Sequence, residues 1–241
     1  MYEGFLDISG WIQYMVMVEV RSREELARLI DHTVIRPTTR LGDVVKVCKE
    51  ALHYGFAAVC VPPTFVQTAS RLLRGSDVKV CTAVGFPFGF SKTEVKVFEA
   101  RRALEDGAEE LDMVMNLALF KSGMYRRVEE DIRAVVETAE EYGALVKVII
   151  EACYLTDEEK RTACHIIAEA GADYVKTSTG FGPGGATVED VRLLKEASQG
   201  RILVKAAGGI RTAEQALAMI RAGASRIGTS TGVQVVETFG G

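Results

Sequence analysis

Five times in this chain an amphipathic stretch runs into a glycine and then into a short apolar run: "EALHYGFAAVCV", "ALEDGAEELDMVM", "AEEYGALVKVII", "AEAGADYVKTS" and "IRAGASRIGTS". Glycine just past a periodic segment stops a helix, because it accepts the left-handed backbone. A β-branched run of strand length is what a strand buried on both faces requires. The unit therefore reads helix then strand, and its repetition points to a parallel sheet under a helical cover.

Counting runs predicts strands near residues 30–35, 57–61, 79–86, 110–115, 146–152, 174–179, 202–208 and 226–230. Helix starts are legible at Ser91, Thr156, Thr187 and Thr212, and Glu159 completes a capping box with Thr156. Eight alternations in 241 residues, close to the roughly 250 residues of the fold, predict a single (β/α)8 TIM barrel. A doubly wound open sheet is the alternative. No linker or low-complexity stretch divides the chain, so residues 22–241 are assigned to the barrel and residues 1–21 to an N-terminal extension. Translation from Met15 or Met17 and a genuine extension packing on the barrel or on a partner subunit both agree with that segment.

Composition narrows the partners. A net charge of −4 lacks the cationic surplus that binding a nucleic-acid backbone demands. The segment "WIQYMVMV" is too short to span a bilayer and no basic region precedes it, so neither membrane nor export is indicated. Five cysteines without CxxC spacing suggest neither a zinc site nor a disulfide framework, and the expected location is the cytoplasm. His32, His53 and His165 lack metal-ligand spacing.

Four strands carry charge where a barrel strand should be apolar: Asp112, Lys147, Lys176 and Lys205. Bare charge is costly there, and the C-terminal ends of barrel strands are where active sites are built. Lys176 and Lys205 lie on consecutive strands. Their proximity is expected to depress the pKa of at least one, leaving a neutral amine able to attack a carbonyl. Asp112 is a proton shuttle or their counter-ion. Lys147 either lines the same interior or pairs with Glu151.

The last strands end in "AAGGIRT" and "GTSTG", and "STGFGPGGAT" follows the sixth. Glycines at strand ends let backbone N–H groups approach an anion, and barrels often hold phosphate after strands seven and eight. Gly208, Gly209, Gly228, Thr229, Ser230 and Gly180 are therefore the candidate phosphate group. Cys60 and Asp31 are further candidates for substrate contact, although a buried free cysteine commonly behaves as a small hydrophobe. "GFPFG" at 85–89 reads as a turn with exposed aromatics that closes over a ligand or only shapes the chain.

Seven segments, "LIDHT", "VGFPFG", "ELDMVMN", "VKVIIEACYL", "YVKTSTGF", "VKAAGGIRT" and "IGTSTG", in this order, resemble the deoxyribose-phosphate aldolases from about residue 22 to the end. The resemblance implies a class I aldolase on a (β/α)8 barrel that reversibly cleaves 2-deoxy-D-ribose 5-phosphate to D-glyceraldehyde 3-phosphate and acetaldehyde, with no metal or other cofactor. It implies that Lys176 forms the Schiff base, that Lys205 perturbs it or moves protons, and that Asp112 is the acid/base group. The partner is a small phosphorylated sugar, and a homo-oligomer, dimer or tetramer, is expected. "MNLALFKSG" departs from the smaller turn of relatives, and Phe181 stands where some members place a lysine, so phosphate affinity is expected to rest on backbone donors. Two other readings are a lysine aldolase acting on a ketose phosphate, which needs a larger donor pocket, and a non-catalytic phosphosugar-binding barrel.

Overall fold

In the computed structural model, which describes residues 20–240, eight parallel strands hydrogen-bond in sequence order and close β1 on β8. The strands are β1 (Ile30–Thr33), β2 (Ala58–Val61), β3 (Lys79–Val84), β4 (Glu110–Val114), β5 (Leu145–Ile149), β6 (Tyr174–Lys176), β7 (Leu203–Ala207) and β8 (Arg226–Thr229). The open-sheet alternative is thereby excluded. Residues 1–19, which include most of the assigned extension with Met15 and Met17, lie outside the described residues.

Each strand is shorter than its apolar run. Except in β2, which ends with its run, the residues beyond the C-terminal end leave the ladder to form the loops of one face, which is why β6 stops at Lys176 although the run continues to Thr179. The helices are α1 (Arg23–Ala27), α2 (Leu41–Tyr54), α3 (Val66–Leu73), α4 (Thr93–Glu105), α5 (Leu117–Lys121), α6 (Tyr125–Glu140), α7 (Asp157–Glu169), α8 (Val188–Ala197), α9 (Ala213–Ala222) and α10 (Gly232–Glu237). Thr156, Thr187 and Thr212 cap α7, α8 and α9 through their hydroxyls, and Glu159 closes the capping box. At α4 the cap is Lys92, one residue later than predicted, and it makes no side-chain cap bond. Gly55 ends α2 at φ 68°, a conformation that costs a side chain dearly. "MNLALFKSG" is not a tight turn: Asn116 accepts the Leu119 N–H and starts α5.

Two kinds of interior result. Outward-facing strand residues such as Val59, Leu111, Val148 and Val204 join the helices in one large apolar core. Inside the barrel, Ala58, Cys60 and Cys81 form a small separate cluster. Residues paired across parallel strands point the same way, so the interior also gathers charge beside uncharged residues such as Ala83 and Ile149: Asp112 with Lys147, Lys176 with Lys205, and Lys205 with Arg226. Among the described residues no helix is long and apolar enough to cross a membrane.

Candidate active site

Asp112 is the hub. Its Oδ2 accepts from Lys176 Nζ at 2.6 Å and from Lys205 Nζ at 2.7 Å, and its Oδ1 accepts from Lys147 Nζ at 2.9 Å. Below it, Lys205 also donates to Asp31, and Arg226 bridges Asp31 Oδ1 (2.7 Å) and Glu110 Oε1 (3.1 Å). Lys147 reaches Glu110 at 2.8 Å. Strand spacing brings these groups together, and burial makes each pairing obligatory: Lys147, Lys205 and Asp31 are all 0% exposed.

Lys205 is not the lysine whose pKa falls. Burial alone would lower its pKa, but Asp112 and Asp31 outweigh burial and hold it above the ordinary lysine value. Lys147 is likewise raised well above it, since Asp112, Cys81 and Glu110 overcome the same burial. Asp112 sits well below the carboxylate range, because Lys147, Lys176 and Lys205 overcome the upward push of burial. Four cations, Lys147, Lys176, Lys205 and Arg226, face three carboxylates, Asp31, Glu110 and Asp112. The cluster therefore carries one positive charge in excess when all seven are ionised.

Lys147 lines the interior, and its pairing with Glu151 is not formed: Glu151 instead accepts from the Thr179 hydroxyl and, at 3.1 Å, the Thr179 N–H. Asp31 does not line the cavity that a substrate would fill. It lies a layer deeper, as partner of Lys205 and Arg226, and those cations with Lys147 bring its carboxyl down to about 2 against the upward push of burial. Sequence reasoning missed Glu110 and Arg226. Glu110 shares strand parity with Asp112, which was the available signal, but both missed residues sit at strand beginnings, where charge is ordinarily solvated.

A sign follows for stability. Asp31 has a folded pKa below its ordinary 3.8, so its contribution is complete above that value and lost as pH falls toward 2. Lys205 is raised above 10.5, so its contribution is present below that pH and lost above it. Thermal melts should show a plateau between these limits and a falling acid limb. Asp31→Asn should melt lower at neutral pH and vary less between about pH 2 and 4; an unchanged acid limb would contradict the assignment.

Above the charged layer opens a cavity of about 720 Å³, lined by Asp112 and Lys176, by Cys60, and by all six predicted phosphate residues, Gly180, Gly208, Gly209, Gly228, Thr229 and Ser230. Gly208 and Gly209 hold φ of 94° and 82°. The loop carrying them is pressed against Gly185, where an added Cβ would lie 2.4 Å from the Gly208 carbonyl oxygen. The Thr229 hydroxyl is already committed, donating to Ile210 O at 2.6 Å and accepting from the Thr231 N–H at 3.1 Å. It ties β8 to the loop after β7 rather than pointing at a ligand. Phe86, in "GFPFG", meets Phe181 edge to face at 5.3 Å, and both rings line the cavity.

His32 is bound at Nε2 to Glu50 (2.7 Å), and burial lowers its pKa. His53 and His165 lie on α2 and α7.

Comparison with known proteins agrees with this geometry. The profile of the DeoC/LacD family aldolases matches residues 26–237. The chain is 60% identical over 215 residues to a deoxyribose-phosphate aldolase of Thermococcus gammatolerans, covering 88% of this chain and 96% of that protein. It is 59% identical over 218 residues to the deoxyribose-phosphate aldolase of Thermococcus kodakarensis, covering 90% and 97%. Among solved structures, the tetrameric deoxyribose phosphate aldolase of Aeropyrum pernix superposes with a TM-score of 0.86 at 39% identity, covering 90% of this chain and 92% of that one. With the barrel closed, its charged interior opening at the C-terminal face and the family profile spanning almost the whole barrel, the chain belongs to the DeoC/LacD family of aldolases.

Proposed function

We propose that this aldolase acts through a lysine Schiff base and reversibly cleaves 2-deoxy-D-ribose 5-phosphate to D-glyceraldehyde 3-phosphate and acetaldehyde. The observation that carries the reading is that, of the three lysines bonded to Asp112, Lys176 alone lines the cavity. Lys176 therefore brings its amine to the space that a substrate aldehyde would fill. The relatives' names supply the substrate.

Lys176 attacks the substrate aldehyde, water leaves, and an iminium forms. Its positive charge accepts the electrons released as the C3–C4 bond breaks, while a base takes the C4 hydroxyl proton. The resulting enamine of acetaldehyde is protonated at carbon, and hydrolysis frees Lys176. Asp112, 2.6 Å from Lys176 Nζ, and Lys205, hydrogen-bonded to the same carboxylate, move protons, with ordered water completing the path. The substrate phosphate rests on backbone N–H groups of Gly180, Gly208, Gly209, Gly228 and Ser230, and Cys60 contacts the substrate from the cavity wall. Phe181 brings no cation to this end. Asp31 acts through Lys205 instead of touching substrate.

The enzyme works in the cytoplasm as a homo-oligomer. The tetrameric Aeropyrum pernix relative and the exposed Phe88, Phe90 and Phe98 support self-association.

Borohydride reduction in the presence of 2-deoxyribose 5-phosphate tests the reading. A reduced adduct on Lys176, absent from Lys176→Ala, is the expected result. No adduct in folded protein would overturn it, and an adduct formed only with dihydroxyacetone phosphate would move the assignment to a ketose-phosphate aldolase.

A further inference from the structure

Cys60 and Cys81 are paired residues of the adjacent strands β2 and β3. Both face the barrel interior, and with the nearest Asp112 oxygen their sulfur atoms all lie within 4.8 Å of one another. Neighbouring strands run about 4.7–4.9 Å apart, within the roughly 4.4–6.8 Å between Cα atoms that a disulfide spans. Both thiols are free. Cys60 lines the cavity, whereas Cys81 is 0% exposed behind it. Cys81 Sγ donates to Asp112 Oδ1 at 3.3 Å and accepts from Lys147 Nζ at 3.5 Å.

Three residues could suggest a metal here, but the ammonium groups of Lys147, Lys176 and Lys205 already occupy Asp112 and would repel a dication. The same cations favour a thiolate. We propose that Cys60 and Cys81 are an oxidisable dithiol, a modification site in the cavity floor that a hydroperoxide converts into a cross-strand disulfide.

The Cys60 thiolate attacks the distal oxygen of the hydroperoxide. The O–O bond breaks, the alkoxide or hydroxide leaves and is protonated, and Cys60 becomes a sulfenic acid. Cys81 then attacks the Cys60 sulfur, the S–O bond breaks, and the departing hydroxide takes the Cys81 proton to leave as water. Two thiols have lost two electrons and the hydroperoxide has gained them. The order follows from access, since a peroxide in the cavity meets Cys60 first. The Cys60 pKa is lowered beside the Cys81 thiol and the Lys205 and Lys176 side chains, while burial raises that of Cys81, which suits attacking and resolving roles. Once joined, Cys81 can no longer donate to Asp112, so oxidation alters the hub of the cluster directly.

The test uses the full chain with Cys153, the exposed cysteine, replaced by serine so that cross-links between molecules do not intrude. After reduction and exposure to hydrogen peroxide, the protein is unfolded in maleimide, weighed and digested. The expected result is loss of two hydrogen atoms, protection of two thiols, a peptide pair joined through Cys60 and Cys81, and aldolase activity lost in proportion to the joined fraction and restored by dithiothreitol. In Cys81→Ala the joined pair is absent, and Cys60 proceeds to the sulfinic acid that dithiothreitol does not reverse. Both thiols remaining open to maleimide, at a peroxide exposure that consumes Cys153 in the unsubstituted protein, overturns the proposal. The mass readout is independent of the aldol chemistry, so it separates this proposal from the Schiff-base reading.

Discussion

Lys176→Met is expected to lower turnover of 2-deoxyribose 5-phosphate by about 10⁴- to 10⁶-fold, the scale on which an enzyme loses rate when its covalent nucleophile is removed. The same change should leave the fold intact. It takes one cation from a cluster holding four against three carboxylates, so Lys147, Lys205 and Arg226 then balance Asp31, Glu110 and Asp112. Methionine also keeps most of the volume of the lysine stem. Asp112→Asn is the contrasting variant: it removes the carboxylate that accepts from three lysines, leaves four cations to two acids, and should lose activity and thermal stability together. Steady-state kinetics beside thermal melts separate the two cases. Turnover within tenfold of the unsubstituted enzyme in Lys176→Met would remove Lys176 from the chemistry.

Asp131→Ala, at a residue that does not line the cavity, is expected to cost about 3–5 kcal/mol, the range for leaving a buried charge without its partner. Lys96 is 0% exposed and Asp131 1% exposed. Lys96 Nζ donates to Asp131 Oδ2 at 2.6 Å and to Val114 O at 2.9 Å, and Thr93 donates to the other Asp131 oxygen at 2.8 Å. The pair thus ties α4 to α6 and to the end of β4. It also packs beneath the loop that carries Phe86, since an added Cβ at Gly85 would stand 2.9 Å from Lys96 Cε. Removing Asp131 leaves burial to push the Lys96 pKa down with only Glu99 to oppose it. In a chain of this size the cost corresponds to a drop of roughly 6–20 °C in melting temperature. Lys96→Met combined with Asp131→Leu should recover most of it, because the desolvation penalty disappears with both charges. A single variant melting within about 2 °C of the parent would show that the pair is not what joins these elements.

The legibility of the site differs from residue to residue. Lys176 could be found because a lysine inside an apolar run has few structural reasons to be there. The glycines after β6, β7 and β8 could be found because their positions follow from strand ends, which periodicity locates. Asp31 is a candidate on sequence, but nothing in "LIDHT" says that its carboxylate faces Lys205, 174 residues away. Cys60 and Cys81 stand 21 residues apart with no motif joining them, and only the β2–β3 register makes them neighbours.

What the sequence by itself determined is what depends on near neighbours along the chain. The threonine caps, the glycine stops and the apolar runs specify the helix-strand alternation, and eight repeats make a closed barrel the simplest way to bury every strand. What only the tertiary structure decided is which charges meet. Lys147 could have turned to Glu151 along its own chain, yet closure and register set it against Glu110 and Asp112, and brought Arg226 to Asp31 and Glu110 across 195 and 116 residues. Local sequence governs burial and direction, but the partner of a buried charge is chosen by strands that meet only when the barrel closes, where every ion left unpaired would be costly.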